Sequence, residues 1–348
     1  MINNNLTFEV LLIGDSGNIN RNKPDEALEL LKNHLPVHEN SAVIFLGDNI
    51  YPNGLPALDT ILREDAETVL KKHHEALKDF KGRVIFISGN HDWNKGKANG
   101  LAFVLRQEEY LHQLFDDRFS YLPPQGCPGP SEVVLNDDLV LIAINTQWWV
   151  QKGVRPIGKQ YGCDVDNEAQ FFNKLEELLS KHQSKKILVI GHYPIYSYSL
   201  HGGRYKLKHH LFPFTLYKKK AYLPLPFVGS LLPLYRKYVG AREDLAHPRF
   251  KILRKRLKEI FRKYPGLIYA AGHEHNLQYI EKYHNHYIVS GAASKATYVL
   301  DGKYSRFGIS GKGFFKLKLY KNLKIKTEVL ITDKDNPMGE LVYQGWIV

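Results

Sequence analysis

Five short blocks of this sequence place a glycine directly before side chains that can bind metal ions. The blocks are Gly14-Asp15, Gly47-Asp48, Gly89-Asn90-His91-Asp92, Gly191-His192 and Gly272-His273-Glu274-His275. Any one block is weak evidence, because a Gly-Asp pair after a strand is usually a turn. Together they supply carboxylate and imidazole donors, a set that suits two first-row divalent or trivalent ions sharing a bridging carboxylate. The joint pattern therefore predicts a dinuclear metal centre.

Each block follows an apolar run that is typical of a strand. β-branched and aliphatic runs occur at 8–13, 42–46, 83–88, 139–144, 187–190, 267–271, 287–290 and 314–320. Segments with helical spacing lie between them, at 24–34, 167–182 and 248–264. This alternation predicts an α/β fold, in which ligands bind at the carboxyl ends of the strands. A glycine there lets the backbone turn sharply and leaves room for an ion or a substrate.

The composition is that of an ordinary folded protein. Of the 348 residues, 43% are hydrophobic and 24% are charged, which excludes disordered and low-complexity classes. Lys and Arg number 48 and Asp and Glu number 36, so the net charge is 48 − 36 = +12. We interpret this excess as a lysine-rich solvated surface, with attraction to nucleic acid or anionic lipid as the alternative.

No segment of the sequence predicts export or a membrane span. Residues 1–5 lack the basic and apolar regions of a signal peptide. The longest apolar window, 221–235, is too short to span a bilayer and contains three prolines. We expect a cytoplasmic chain as it stands, or a soluble domain of an exported envelope protein. The two cysteines, Cys127 and Cys163, are too few for a disulfide framework but could pair with each other if the protein is exported.

Residues 200–246 break the alternation of strands and helices, and we interpret them as an insertion. Lys206, Lys208, Lys218, Lys219 and Lys220 surround apolar stretches rich in proline and aromatic residues. Basic residues beside apolar ones are typical of segments that lie on a membrane surface. The insertion could instead be a lid or an excursion packed on a core of its own. The sequence leaves these three interpretations open.

With its five blocks the sequence resembles the calcineurin-like metallophosphoesterases and, among them, the purple acid phosphatases. The pattern of that family is GDxG, GDxxY, GNH[DE], a Gly-His turn and GHxH, in that order, and here it runs from 15 to 278. The resemblance implies two mixed β-sheets stacked as a sandwich flanked by helices. We expect one domain at 1–335, because a boundary within the motifs would split the site, followed by a polar tail at 336–348.

The resemblance also implies a ligand set. The first metal would be held by Asp15, Tyr51 and His275, the bridge would be Asp48, and the second metal would be held by Asn90, His192 and His273. Most metallophosphoesterases carry DxH in the first block, whereas Gly17 stands at that histidine position here, so Tyr51 would take its place. A phenolate ligand favours a ferric ion. The resemblance thus implies Fe(III) beside Fe(II), zinc or manganese.

Two neighbouring ions can lower the pKa of a bound water, orient a phosphoryl group and neutralise charge during an in-line displacement. Attack by a metal-bound hydroxide is therefore expected. His91 resembles the family histidine that contacts the phosphate oxygens, and Asp92 would orient it. His201 lies nine residues after His192, a spacing that resembles the second substrate histidine of small mammalian-type purple acid phosphatases. It would protonate or hydrogen-bond the leaving-group oxygen.

Other polar and aromatic groups carry weaker signals. Residues 145–149 (Asn-Thr-Gln-Trp-Trp) follow a predicted strand, so they would either line the crevice or plug the core with two tryptophans. His73-His74 and His209-His210 sit among lysines and belong to no motif, so we expect them on the surface.

These residues favour a metal-dependent, acid phosphatase-like hydrolase acting on a small phosphorylated substrate, a phosphomonoester. One alternative is a phosphodiesterase or nuclease of the same superfamily. Another is a metal-binding scaffold on an anionic membrane, which it would contact through 200–246. Nucleic acid is not an expected partner, because the basic residues form no binding module interleaved with aromatic side chains. The strings Gly-Asp-Asn-Ile-Tyr-Pro and Thr-Gln-Trp-Trp further resemble envelope-associated bacterial phosphoesterases.

Overall fold

Strands and helices alternate along most of the chain, as the apolar runs predict. The computed structural model describes residues 6–20, 22–216, 218, 220–332 and 336–347. Its strands are β1 (Leu6–Ile13), β2 (Ser41–Phe45), β3 (Arg83–Phe86), β4 (Phe119–Tyr121), β5 (Ser131–Val134), β6 (Leu139–Ala143), β7 (Lys186–Ile190), β8 (Ile268–Ala271), β9 (Leu277–Lys282), β10 (Asn285–Ser290), β11 (Ser305–Ile309), β12 (Lys312–Tyr320), β13 (Ile325–Thr332) and β14 (Glu340–Ile347). Its α-helices are α1 (Glu26–Asn33), α2 (Arg63–Ala76), α3 (Gly100–Leu114), α4 (Glu168–Lys181), α5 (Leu207–Leu211), α6 (Leu231–Tyr238) and α7 (Pro248–Phe261).

The strands form two mixed sheets of seven strands each. The first has the order β14-β13-β12-β1-β2-β3-β4, and the second has the order β11-β9-β10-β8-β7-β6-β5. β1, β2 and β3 run parallel in the first sheet, and β6, β7 and β8 run parallel in the second. β12 returns from the end of the chain and pairs antiparallel with β1. The predicted α/β sandwich of two mixed sheets is confirmed.

Three apolar layers hold the sandwich together. The central layer lies between the sheets, where Ile44 of β2 and Ile268 of β8 belong to one buried cluster. One outer layer packs the first sheet against α1, α2 and α3, and the other packs the second sheet against α4 and α7. The central strands are covered on both faces, which explains why their sequences are continuous apolar runs rather than alternating ones.

The C-terminal segment departs from the prediction. We predicted a polar tail at 336–348, but Glu340–Ile347 form β14, which pairs antiparallel with β13 at the edge of the first sheet. Most of its side chains are exposed or half-buried. An edge strand that faces solvent carries no buried apolar run, so this part of the prediction is wrong for a physical reason.

The insertion at 200–246 contains the short helices α5 and α6, although the sequence shows no clear helical period there. Of the Leu, Val, Phe and Tyr side chains that the structure describes between 200 and 244, none is buried. The described residues between 200 and 244 therefore enclose no core of these side chains.

Two further features bear on the predictions. Cys127 and Cys163 form a disulfide, with their Cα atoms 5.6 Å apart. Within the described ranges, no helix combines the length and the apolar character needed to cross a membrane.

Candidate dinuclear metal centre

The five glycine blocks lie at the carboxyl ends of parallel strands in both sheets. Those containing Asp15, Asp48 and Asn90 follow β1, β2 and β3, and those containing His192 and His273 follow β7 and β8. Neighbouring parallel strands end at the same edge of a sheet. Because the two sheets are stacked, their carboxyl ends share one crevice, and all seven predicted ligands meet there.

One group of donor atoms surrounds the phenol oxygen of Tyr51. Tyr51 Oη lies 3.0 Å from Asp15 Oδ1, 2.9 Å from Asp48 Oδ2 and 3.2 Å from His275 Nε2. These are the residues that the resemblance assigns to the first metal, together with the bridging aspartate. An oxygen-rich set with a single imidazole suits a hard cation.

A second group surrounds the side-chain amide of Asn90. Asn90 Oδ1 lies 3.0 Å from His192 Nε2 and 3.0 Å from His273 Nδ1. The other oxygen of the predicted bridge, Asp48 Oδ1, is 3.4 Å from His192 Nε2. The two oxygens of Asp48 therefore face different donor groups, as a bridging carboxylate requires.

Main-chain carbonyls orient the two buried histidines. His192 Nδ1 lies 2.8 Å from the carbonyl oxygen of Leu46, and His273 Nε2 lies 2.6 Å from that of Glu243. A carbonyl only accepts, so in each ring the nitrogen facing it must carry the hydrogen. The other nitrogen, which points at Asn90, then has a free lone pair for a metal.

The backbone is strained at three of the predicted ligands. Asp15, Asp48 and His273 have φ angles of 58°, 57° and 71°, a left-handed conformation that non-glycine residues rarely adopt. Such strain persists where the surrounding structure imposes it, and it is concentrated at functional sites. A Cβ on Gly89 would lie 2.3 Å from Asp48 Oδ1, and one on Gly272 would lie 2.6 Å from Asp15 Oδ2. The glycines are thus required by the close approach of the ligand carboxylates.

Buried charges shape the protonation of the site. Burial alone would lower the pKa of His192, but the carboxylates of Asp48 and Asp15 outweigh it and raise that pKa. Burial, together with the same two carboxylates, raises the pKa of the Tyr51 phenol well above its ordinary value. A bound cation acts in the opposite direction and favours the phenolate.

His91 lies at the edge of the crevice, and its side chain is 17% exposed. Its Nε2 is 3.8 Å from Asp48 Oδ2, and its Nδ1 is 2.6 Å from the carbonyl oxygen of Pro52. The carboxylate of Asp92 instead accepts hydrogen bonds from the main-chain N–H groups of Asp48 and Gly89, at 2.9 and 2.7 Å. The group that holds the His91 ring is therefore Pro52, whereas Asp92 fixes the loop that carries Asp48, the predicted bridge.

His201 lies on the other side of the site. Its ring centroid is 4.4 Å from that of His273, and its side chain is 18% exposed. Its Nδ1 is 3.1 Å from Asp244 Oδ1, and Asp244 is fully buried and paired with Arg236. His91 and His201 thus both border the ligand group while keeping contact with solvent.

The structure adds residues around the site that sequence reasoning missed. His73, predicted to be on the surface, is fully buried, and its Nε2 is 2.7 Å from the hydroxyl of Ser16, next to Asp15. Burial lowers the pKa of His73 to about 4, so this imidazole is neutral and accepts the Ser16 hydrogen. The surface prediction is also wrong for His209, which is 3% exposed. A lone histidine in a charged helix gives no signal of its burial.

The pair of tryptophans left two possibilities open, and the structure decides between them. Trp148 and Trp149 are each 2% exposed and belong to the outer apolar layer of the second sheet. They pack against the helices, where Trp149 lies edge-on to Phe171. The two tryptophans are a packing plug rather than a crevice wall.

A cavity of about 630 Å³ borders the site on the side of Tyr51. Its wall is apolar at Ile50, Val69 and Phe103 and polar at Asn94. Tyr51 therefore belongs both to the first donor group and to the cavity wall.

The donor set fits two metal ions. One ligand atom from each of Asp15, Asp48 and His192 lies within 4.8 Å of the others, and all three side chains are buried. Adjacent buried carboxylates repel one another unless a cation or a proton compensates them. Two groups of oxygen and nitrogen donors joined by Asp48, without a thiolate, suit first-row divalent or trivalent ions.

Comparison with known proteins supports this picture. Residues 8–291 match the family described as calcineurin-like phosphoesterase. No curated protein matches the chain significantly in sequence. In structure, the chain is similar to GAP50, the anchor in the inner membrane complex of Plasmodium, with TM-score 0.59, 18% identity and coverage of 98% of this chain and 88% of that one.

It is also similar to the purple acid phosphatase PPD1 from yellow lupin (Lupinus luteus) seeds, with TM-score 0.58 and 13% identity. That likeness covers 97% of this chain and 53% of the lupin protein, so this chain spans about half the length of that relative. At these identities the two likenesses concern the fold alone. The family match extends over most of the sequence and contains all five glycine blocks, and on this evidence the chain belongs to the calcineurin-like phosphoesterases, a family of metal-dependent phosphoester hydrolases.

Proposed function

We propose that this protein is a phosphomonoesterase with a dinuclear metal centre. The observation that carries the proposal is the position of Asp48, whose two oxygens face separate donor groups centred on Tyr51 and Asn90. Tyr51 in place of the missing histidine at Gly17 favours Fe(III) in the first position, with Fe(II), zinc or manganese in the second. When bound, two such ions would polarise the phosphoryl group and neutralise its developing charge.

The residues around the ligands would handle the substrate. His91 donates its Nδ1–H to the Pro52 carbonyl, and with a second proton on Nε2 the ring would also donate to a phosphoryl oxygen. His201, held at Nδ1 by Asp244, keeps its Nε2 for the leaving-group oxygen, to which it would donate a proton. The cavity beside Tyr51 would receive the organic group of the ester, because its wall combines apolar and polar side chains.

A second candidate is a metal-binding scaffold at a membrane. Its support is that GAP50, which has a similar fold, is the anchor of a membrane complex, and that the insertion exposes many apolar side chains. A scaffold does not need His91 and His201 at the solvent side of the ligands. These two histidines therefore favour the enzyme.

The test is the ratio of turnover on p-nitrophenyl phosphate to turnover on bis(p-nitrophenyl) phosphate, after reconstitution with iron plus zinc or manganese. We expect a strong preference for the monoester. A preference for the diester would overturn the monoesterase assignment in favour of a phosphodiesterase or nuclease. Two bound ions without turnover on either compound would favour the scaffold.

A further inference from the structure

The insertion at 200–246 presents an unusual share of the exposed apolar surface. Of the 25 large hydrophobic side chains that are strongly exposed among the described residues, 12 lie between 207 and 239. Phe227 is 94% exposed, Leu207 is 75% exposed and Leu231 is 64% exposed. Single exposed apolar side chains are normal on a soluble surface, but a concentration of them marks a contact with another apolar phase.

The same segment carries most of the net positive charge. The insertion at 200–246 contains nine Lys and Arg and two acidic residues, Glu243 and Asp244, so it contributes 9 − 2 = +7 of the +12 of the whole chain. Among these cations, the exposed ones that the structure describes include Lys206, Lys208, Lys218, Lys220 and Lys237. The apolar and the basic side chains thus occupy one short stretch of chain.

An internal framework supports this surface. The N–H of Leu225 donates to the carbonyl of Leu211 at 2.8 Å, and the N–H of Gly229 donates to the carbonyl of Leu225 at 2.7 Å. His210 Nδ1 lies 3.1 Å from the hydroxyl of Ser230, which joins α5 to the turn before α6. Phe227, between these contacts, has a left-handed φ of 67°. The backbone is held in a strained conformation while its side chain faces solvent.

We propose that the insertion docks on a lipid bilayer with anionic headgroups. Apolar side chains such as Phe227 and Leu231 would enter the boundary between headgroups and acyl chains, and the lysines would face lipid phosphates. Charge decides against a second copy of this chain, because self-association through the insertion would bring +7 against +7. A nucleic acid would use the lysines, but its phosphate backbone provides no apolar phase for the exposed apolar side chains.

The C-terminal end of the insertion contacts the metal-ligand site. The C-terminal end of the insertion carries Glu243, whose carbonyl accepts from His273, and Asp244, which pairs with His201. The inference does not depend on the proposed hydrolase function, since lipid binding is measured without turnover.

The experiment is co-sedimentation of the full chain with two kinds of vesicle, pure phosphatidylcholine and phosphatidylcholine mixed with phosphatidylglycerol, at low and high salt. We expect binding to the anionic vesicles that weakens as salt rises. The double variant Phe227→Ser/Leu231→Ser and the double variant Lys208→Gln/Lys220→Gln should each bind about tenfold more weakly or worse. Both pairs are exposed, so circular dichroism and the unfolding temperature should match those of the wild type.

The matched controls lie outside the insertion. Ile61 is 91% exposed and Lys321 is exposed, so Ile61→Ser and Lys321→Gln should bind vesicles as the wild type does. Absence of binding to anionic vesicles at low salt would overturn the proposal. Binding of both insertion variants with the affinity of the wild type would overturn it as well. Loss of binding in the lysine variant alone would indicate a general polyanion surface and would also overturn it. If light scattering shows a wild-type dimer and a monomeric Phe227→Ser/Leu231→Ser variant, and no vesicle binding is seen, the surface would belong to an interface with a second copy.

Discussion

The Nε2–H of His273 donates a hydrogen bond to the main-chain carbonyl of Glu243 at 2.6 Å. His273 is a predicted metal ligand that follows β8, whereas Glu243 belongs to the insertion. The bond selects the tautomer with the hydrogen on Nε2, so a segment without any motif leaves the Nδ1 lone pair of this predicted ligand free. The insertion is therefore structurally part of the site.

We predict that Asp48→Asn removes metal from both positions. The substitution removes the negative charge shared by the two donor groups while keeping the shape of the side chain. Metal analysis of the reconstituted protein should give two ions per chain for the wild type and fewer than one for the variant. Asp59→Asn, at an exposed aspartate, should retain both ions. Two ions in Asp48→Asn would show that this carboxylate is not the bridge.

We predict that Tyr51→Phe abolishes the visible absorption of the ferric protein. A phenolate bound to Fe(III) absorbs visible light by charge transfer, and Tyr51 Oη is the phenol oxygen within 3.2 Å of Asp15, Asp48 and His275. The measurement is an absorption spectrum after loading with iron. Tyr222→Phe, at an exposed tyrosine in the insertion, should keep the band. An unchanged spectrum of Tyr51→Phe would exclude the phenolate as a ligand.

We predict that His91→Ala retains both metals and loses most turnover. The ring borders the ligand group and is held by the Pro52 carbonyl rather than buried among the donors. Loss of a positioned acid, base or phosphate contact typically costs about 100-fold or more in rate. Steady-state kinetics and metal analysis on the same preparation measure both effects. The exposed His112 of α3 offers the control His112→Ala, and wild-type turnover in His91→Ala would remove His91 from the mechanism.

We predict that Ala102→Trp raises KM for p-nitrophenyl phosphate with little change in kcat. Ala102 lines the cavity beside Tyr51 and is itself exposed, so the larger side chain would occupy the space without disturbing the core. A rise of roughly fivefold corresponds to about 1 kcal/mol of lost binding. Leu105→Trp changes an exposed position of the same helix, α3, that does not line the cavity, and should leave KM unchanged. Equal KM values for all three proteins would contradict the role given to the cavity.

We predict that Glu108→Gln stabilises the protein at alkaline pH. Burial raises the pKa of Glu108 from 4.5 to about 7. The contribution of protonated Glu108 to the free energy of unfolding is therefore complete below the pKa that this group has in the unfolded chain. It is lost as the pH rises through about 7, because the unfolded chain releases the proton first. The variant avoids this loss, so its advantage should grow from about pH 5 to about pH 8 and reach at most about 3 kcal/mol.

Denaturant unfolding at the two pH values measures this difference. Gln keeps an oxygen that can accept from the N–H of Gln125, which Glu108 Oε2 binds at 2.7 Å. The neighbouring Glu109 is exposed, so Glu109→Gln should show no pH-dependent gain. A Glu108→Gln protein whose stability follows that of the wild type at both pH values would contradict the prediction.

The sequence by itself determined the alternation of strands and helices and pointed to the glycine blocks. Both depend on local patterns. Parallel strands that are buried on both faces have continuous apolar sequences, and a ligand at the end of a strand needs a glycine where the chain turns. The order of those blocks also carried the family resemblance, which the match over 8–291 then established.

Only the tertiary structure decided what surrounds the ligands. The carbonyls of Pro52 and Glu243, the burial of His73 and the edge strand β14 have no local signature. Each of these contacts joins segments whose proximity arises only when the two sheets stack. A main-chain carbonyl looks the same in every residue of a sequence, so the hydrogen bonds that select ligand tautomers become visible only when the fold brings donor and acceptor together.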